Sequence, residues 1–201
     1  MTNVNVCVPN SLFSSGSNAS LNACVDSNGG PYDFGAYGEG FFEGGFQIIE
    51  AIKRGEWTID LLIYPATFSF RHGIELYLKH MVRLFAEKSG TSNYKKTHTL
   101  QDNWTGFESQ AIATNHSVFT VQELSIAKSI IDDFCNIDPS GQVFRYPEDL
   151  KGNQHLIGLG VINIEVLSNG MRTLHELLEN WRIAVEVICN PPLTHPSSGT
   201  R

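Results

Sequence analysis

Apolar residues recur at helical spacing in five stretches of the chain, and turn-forming residues separate them. The strongest period lies within residues 64–85. Phe70, Ile74, Tyr77, Leu78, Met81, Leu84 and Phe85 step by three and four, which makes one broad apolar face. Arg71, Glu75, Lys79 and Arg83 step by four on a second row, with His72 at its edge. Thr58 is placed to cap this helix and Asp60 falls in its first turn. Pro65 either kinks the helix or opens it as a first-turn proline. Residues 89–93 end it.

The other four stretches are shorter or less regular. Residues 39–54 predict a first helix on Phe42, Phe46 and Ile49. Gly40, Gly44 and Gly45 weaken it while permitting close helix packing, and Gly55 suits its C-terminal cap. A short helix opens at Thr99, with Leu100, Trp104 and Phe107 on one face, and residues 114–117 break it. Residues 120–135 carry a Thr120/Glu123 capping box and an inner face of Leu124, Ala127, Ile130, Ile131 and Phe134. Residues 142–149 are predicted to be extended, because Pro147 restricts the residue before it. The last helix spans 161–188 on Ile164, Leu167, Met171, Leu174, Leu178, Trp181, Val185 and Ile188, and Pro191 and Pro192 stop it.

The fold class is therefore all-α: a helical bundle of about five helices over residues 39–189, with a mostly irregular N-terminal arm (1–38) and a short C-terminal tail (190–201). The arm is rich in Asn, Ser and Gly, and its Val4, Val6 and Val8 alternate in a way that fits a short edge strand.

Composition narrows the function. The chain has 201 residues and a net charge of −7. That balance argues against coating nucleic acid by charge alone, while leaving room for a local basic pocket. Lys79, Arg83, Lys88, Lys95 and Lys96 form one basic neighbourhood in sequence. The four cysteines stand far apart, with no C-x-x-C and no zinc spacing, so no metal and no cofactor is expected. No stretch reads as a signal peptide or a membrane span, and a cytoplasmic protein is the expectation.

The chemistry concentrates on Arg71, His72 and Glu75, a guanidinium, an imidazole and a carboxylate beside aromatic residues. Metal-free RNA cleavage needs a base, an acid and a cation. Imidazole supplies the first two near neutral pH and arginine clamps phosphate. Arg71, His72 and Glu75 are the candidate catalytic residues. Lys79, His98, Arg145 and Tyr146 are the candidate substrate-binding residues. The bland alternative stands beside this one: Arg71 or Arg145 pairs with Glu75 to close the bundle, and Tyr146 packs over the top. On the last helix Arg172 and Glu176 are spaced as a solvated i,i+4 pair, with His175 between them.

Three features occur together in order: Phe70-Arg71-His72-Gly73-Ile74-Glu75-Leu76-Tyr77-Leu78-Lys79 on a long helix, His98-Thr99-Leu100 opening a short one, and Phe144-Arg145-Tyr146-Pro147 after a helix that ends in Ile137-Asp138-Pro139. With a long terminal helix following, the combination over roughly residues 58–188 resembles the HEPN superfamily, helical bundles of prokaryotic toxin, defence and RNA-processing systems. The resemblance implies a homodimer or homo-oligomer. In active members it also implies a metal-independent endoribonuclease site at the dimer interface. Those members carry an Arg followed after four to six residues by a His, and that spacing is absent here. Two readings stay open. One is a component of a defence or toxin–antitoxin system that binds RNA or cleaves it without metal. The other is a non-catalytic interaction or nucleotide-binding module, a subunit or regulator of a larger complex.

Overall fold

The computed structural model describes residues 8–25, 33–91 and 97–191. These fall into two compact units. In the first, residues 8–25 hold a single 3-10 turn, Ala19–Leu21, capped by the Asn18 side chain. Gly16 and Asn22 bond to each other on either side of it (2.8 and 3.1 Å). Every described residue here is exposed, including Val8. The edge strand expected at Val4 and Val6 lies outside the described residues, as do Lys95, Lys96 and tail residues 192–201.

The second unit is an all-α bundle. Its five helices are α1 (Phe34–Lys53), α2 (Ile59–Lys88), α3 (Leu100–Thr114), α4 (Val121–Ile137) and α5 (Ile164–Cys189). Among the described residues there is no strand, only an isolated antiparallel bridge between Glu148 and Gln154. Among the described residues no helix is long and apolar enough to cross a membrane.

The second helix is the axis. It packs against α1, α3 and α5, and its 30 residues give it a length of about 45 Å. It starts at the Thr58 cap and passes through Pro65 without ending. The proline is exposed in the second turn, where the helix gives up a hydrogen bond on its wet side. The expected apolar face is the buried one: Phe70, Ile74, Tyr77, Leu78 and Met81 are fully buried. Trp104, Phe107, Phe119 and Trp181 close the α3/α5 end as an aromatic cluster, with centroids 5.3–6.3 Å apart.

Three boundaries differ from the sequence reading, each for a local reason. The first helix begins at Phe34 rather than 39, because the Asp33 carboxylate accepts from the Ala36 amide (3.0 Å) and caps it. Three helical glycines serve close packing. A Cβ on Gly38 would meet Tyr77 at 2.8 Å, one on Gly45 would meet Phe70 at 2.7 Å, and one on Gly73 would meet Phe42 at 2.7 Å. Gly40 and Gly44 face open space. The last helix starts at Ile164, where Asn163 accepts from the Glu165 and Val166 amides. Residues 143–145 form a turn rather than an extended run, since both Arg145 and Tyr146 amides donate back to Gln142 O (3.1 Å each).

Candidate functional site

Arg71 lies in the middle of α2 and is 1% exposed. Its Nη1 donates to Glu75 Oε2, one helical turn on. Its Nη2 donates to two backbone carbonyls, His98 O (2.7 Å) and Pro139 O (3.1 Å). Its Nε donates to Asp138 O (3.3 Å). Four of the five guanidinium hydrogens are thus committed inside the protein. The result is a tie between α2, the segment that leads into α3, and the turn after α4.

The turn is shaped to receive it. Asp138 is fully buried, and its Oδ1 accepts from the Gln142 and Val143 amides (2.9 and 3.2 Å). Gly141 has φ +77°, and a Cβ there would sit 3.0 Å from the Arg71 guanidinium carbon, so only glycine fits. Asp138 and Gly141 are the residues sequence reasoning missed. The Asp-Pro-Ser-Gly composition of 138–141 signals a turn, but nothing in it points to Arg71.

Glu75 is 2% exposed and gathers three nitrogen-bearing side chains. Besides Arg71, Lys79 Nζ donates to its Oε1 (2.5 Å), and His98 Nδ1 lies 2.9 Å from the same oxygen. Burial opposes the carboxylate's charge. The hydrogen bonds from Lys79 and Arg71 outweigh it and hold the carboxyl below its ordinary range. An ionised carboxylate only accepts, so Nδ1 of His98 carries the hydrogen. The His98 side chain is 82% exposed, which leaves its Nε2 open to solvent.

His72 does not join this group. Its ring sits edge-on to Phe41 (4.5 Å) and stacks on Phe68 (5.6 Å). Burial, then the charges of Arg71, Lys79 and Arg145, push its pKa down against the pull of Glu75, which favours the neutral imidazole. Arg145 lies next to this aromatic group. Its guanidinium is 5.5 Å from the Phe68 centroid and 5.3 Å from that of the exposed Tyr146. The seven residues singled out from sequence therefore divide in two. Arg71, Glu75, Lys79 and His98 form one hydrogen-bonded cluster, and His72, Arg145 and Tyr146 line an aromatic surface beside it.

On α5 the expected Arg172–Glu176 pair is replaced by contacts across the seam to α1. Arg172 reaches Glu50 (3.4 Å) and covers the Phe46 ring (4.7 Å). His175 Nε2 is 2.7 Å from Glu39 Oε2. Buried Tyr77 lies between Glu39 (2.5 Å) and Glu179 (2.9 Å), and burial together with these carboxylates raises its pKa well above the ordinary phenol value. Among the described residues no group of three or more His, Cys, Asp and Glu side chains stands where it could hold a metal ion.

Comparison of the chain with family models, with curated proteins and with solved structures gave no match in any of the three.

Proposed function

We propose that this chain is a HEPN-like, cytoplasmic RNA-binding protein of a prokaryotic defence or toxin–antitoxin system, and that His98 is the acid–base group with which it cleaves RNA without metal. The family and the biological setting rest on the motif resemblance. The chemistry rests on one observation: a buried carboxylate, Glu75, holds the exposed His98 imidazole by Nδ1 and leaves Nε2 free. A base oriented by a third group in this way is the arrangement that activates hydroxyl nucleophiles elsewhere. Nε2 takes the proton of a ribose 2′-hydroxyl, the 2′-oxygen bonds to phosphorus, and the bond from phosphorus to the 5′-oxygen breaks. The leaving oxygen takes a proton from solvent. Lys79, on the same carboxylate as His98, adds positive charge to the site. Arg71 and Glu75 act as positioning residues, because their polar atoms are engaged inside the protein.

The test is a pool of total RNA and tRNA incubated with the protein in EDTA, beside His98→Ala and His72→Ala. The expected result is cleavage by wild type, a loss of about a hundredfold or more in His98→Ala, and an unchanged Tm for that exposed position. Cleavage that survives in His98→Ala overturns the assignment.

A second reading, the non-catalytic interaction module, is favoured by a separate feature. An open apolar groove of about 520 Å³ lies between α4, residues 159–163 and the start of α5, floored by Phe134, Phe144, Leu167 and Met171. In the same assay, intact RNA with wild-type protein favours this reading.

A further inference from the structure

A second cavity, of about 510 Å³, opens between α2 and the segment that follows α4. That volume is within the range of small-molecule sites. Tyr64 on α2 forms one wall. Arg145 and Tyr146 form the next, and Gln154 and His155 on the returning arm of a small hairpin loop form the third. We propose that this cleft binds a nucleoside 5′-monophosphate, with the base stacked on Tyr64 and Tyr146 and the phosphate on Arg145.

Four observations carry the assignment. The two tyrosines are 45% and 49% exposed, although the large aromatics of the bundle interior are buried. Flat aromatic faces on a cleft are what nucleobases stack on. Arg145 has no carboxylate partner among the described residues; it is held over the Phe68 and Tyr146 rings and donates weakly to the Tyr146 hydroxyl (3.4 Å). Its charge is therefore positioned but not neutralised, which suits a phosphate. His155 Nε2 is buried and has no hydrogen-bond partner within the protein, and a buried polar atom of this kind needs one. Leu156, next to it on the wall, has φ +60°, a costly conformation for a residue with a branched side chain. Such strain persists where the surroundings enforce it, often at ligand sites.

The wall is also built to hold its shape. Asp149 Oδ1 accepts from the Lys151 and Asn153 amides (2.8 and 2.9 Å), Asn153 Nδ2 donates to Asp149 Oδ2 (2.8 Å), and the His155 amide donates to Pro147 O (2.9 Å). These bonds rigidify the hairpin that carries Gln154 and His155, so the cleft is formed before a ligand arrives. Glu148, on the same wall, suits ribose hydroxyls and repels phosphate, which directs the phosphate to the Arg145 side.

The cleft deepens the RNA-binding reading by naming the unit recognised, and its test is independent of cleavage. AMP, CMP, adenosine and inorganic phosphate are titrated against the full chain by calorimetry, with no RNA present. AMP is expected to bind more tightly than CMP, because a purine offers more stacking area, and adenosine and phosphate alone are each expected to bind about tenfold or more weakly than AMP. Arg145→Ala and Tyr64→Ala, both exposed positions, are each expected to weaken AMP about tenfold. Competition by a 5′-phosphorylated oligoadenylate assigns the cleft to an RNA end, and its failure to compete assigns the cleft to a free nucleotide. No heat with AMP, or AMP binding unchanged in both variants, overturns the proposal.

Discussion

At Arg71 a single side chain carries both charge and architecture. Its guanidinium is buried, paired with Glu75 and bonded to three carbonyls from two other segments. Lysine keeps the charge but lacks the planar fork, so it cannot meet Glu75 and three carbonyls at once. Glu75→Gln leaves the guanidinium charge without its counterion. Each variant is expected to lose roughly 3–5 kcal/mol, a fall in Tm of about 10 °C. Thermal unfolding of the two variants beside wild type checks this; a change under 1 kcal/mol in both would show that the pair carries no structural load. The Arg71–Glu75 contact was legible in the sequence, because i,i+4 spacing on one helix brings the two together. Asp138 and Gly141 were not, because they sit 67 and 70 positions along the chain and only the folded bundle brings them to the guanidinium. His98 was legible as a candidate, but its orientation by Glu75 required the same tertiary contact.

At the level of elements, α1 and α2 approach each other closely at a pair of glycines. The Cβ that Gly38 lacks would lie 3.3 Å from Gly73 O, and the one Gly73 lacks would lie 3.2 Å from Gly38 O. The two backbones pass with no side chain between them at that point. Gly45→Ala or Gly73→Ala is expected to cost about 1–3 kcal/mol by overpacking against Phe70 or Phe42. Gly40→Ala, on the open side of the same helix, is expected to stabilise by about 0.5–1 kcal/mol through helix propensity. Chemical denaturation of the three variants tests the contrast, and equal effects at positions 40 and 45 would remove the packing argument. The sequence showed that α1 contains glycines at near-helical spacing. It did not show which of them face a partner, because glycine adds nothing to an apolar pattern. For the same reason Phe34 and Tyr37 were assigned to the arm. The turn at 143–145 was missed because the Pro147 rule acts only on its neighbour, whereas the Asp138 carboxylate fixes the backbone from outside the segment.

For the whole molecule, acid is the expected denaturant. Glu75 and Glu179 both have lowered pKa values in the folded state. In Glu75 burial opposes the shift and the bonds from Lys79 and Arg71 prevail; in Glu179 the Arg182 hydrogen bond leads. The unfolded chain therefore binds more protons on the acid side. The stabilisation is complete above the ordinary carboxylate range and is lost as pH falls through the depressed folded values. His72, pushed down mainly by burial, acts in the same direction from just below the ordinary imidazole value. Melting temperature measured from pH 7 to pH 3 should fall throughout, most steeply below about pH 5, and Glu75→Gln should flatten the steep part. A Tm that rises on acidification would contradict the assignment.

The Arg71 tie also has a meaning in polymer terms. One nitrogen fastens the chain to a carbonyl 27 positions away and to another 68 positions away, so it works as a non-covalent cross-link that closes two loops at a single knot. The entropy gained by opening a loop rises only with the logarithm of its length. Releasing one strand of the knot while the other bonds hold gives the chain little freedom. The α2 midpoint, the entry to α3 and the exit from α4 are therefore expected to come apart together, so that the His98 backbone shares the stability of the core beneath it.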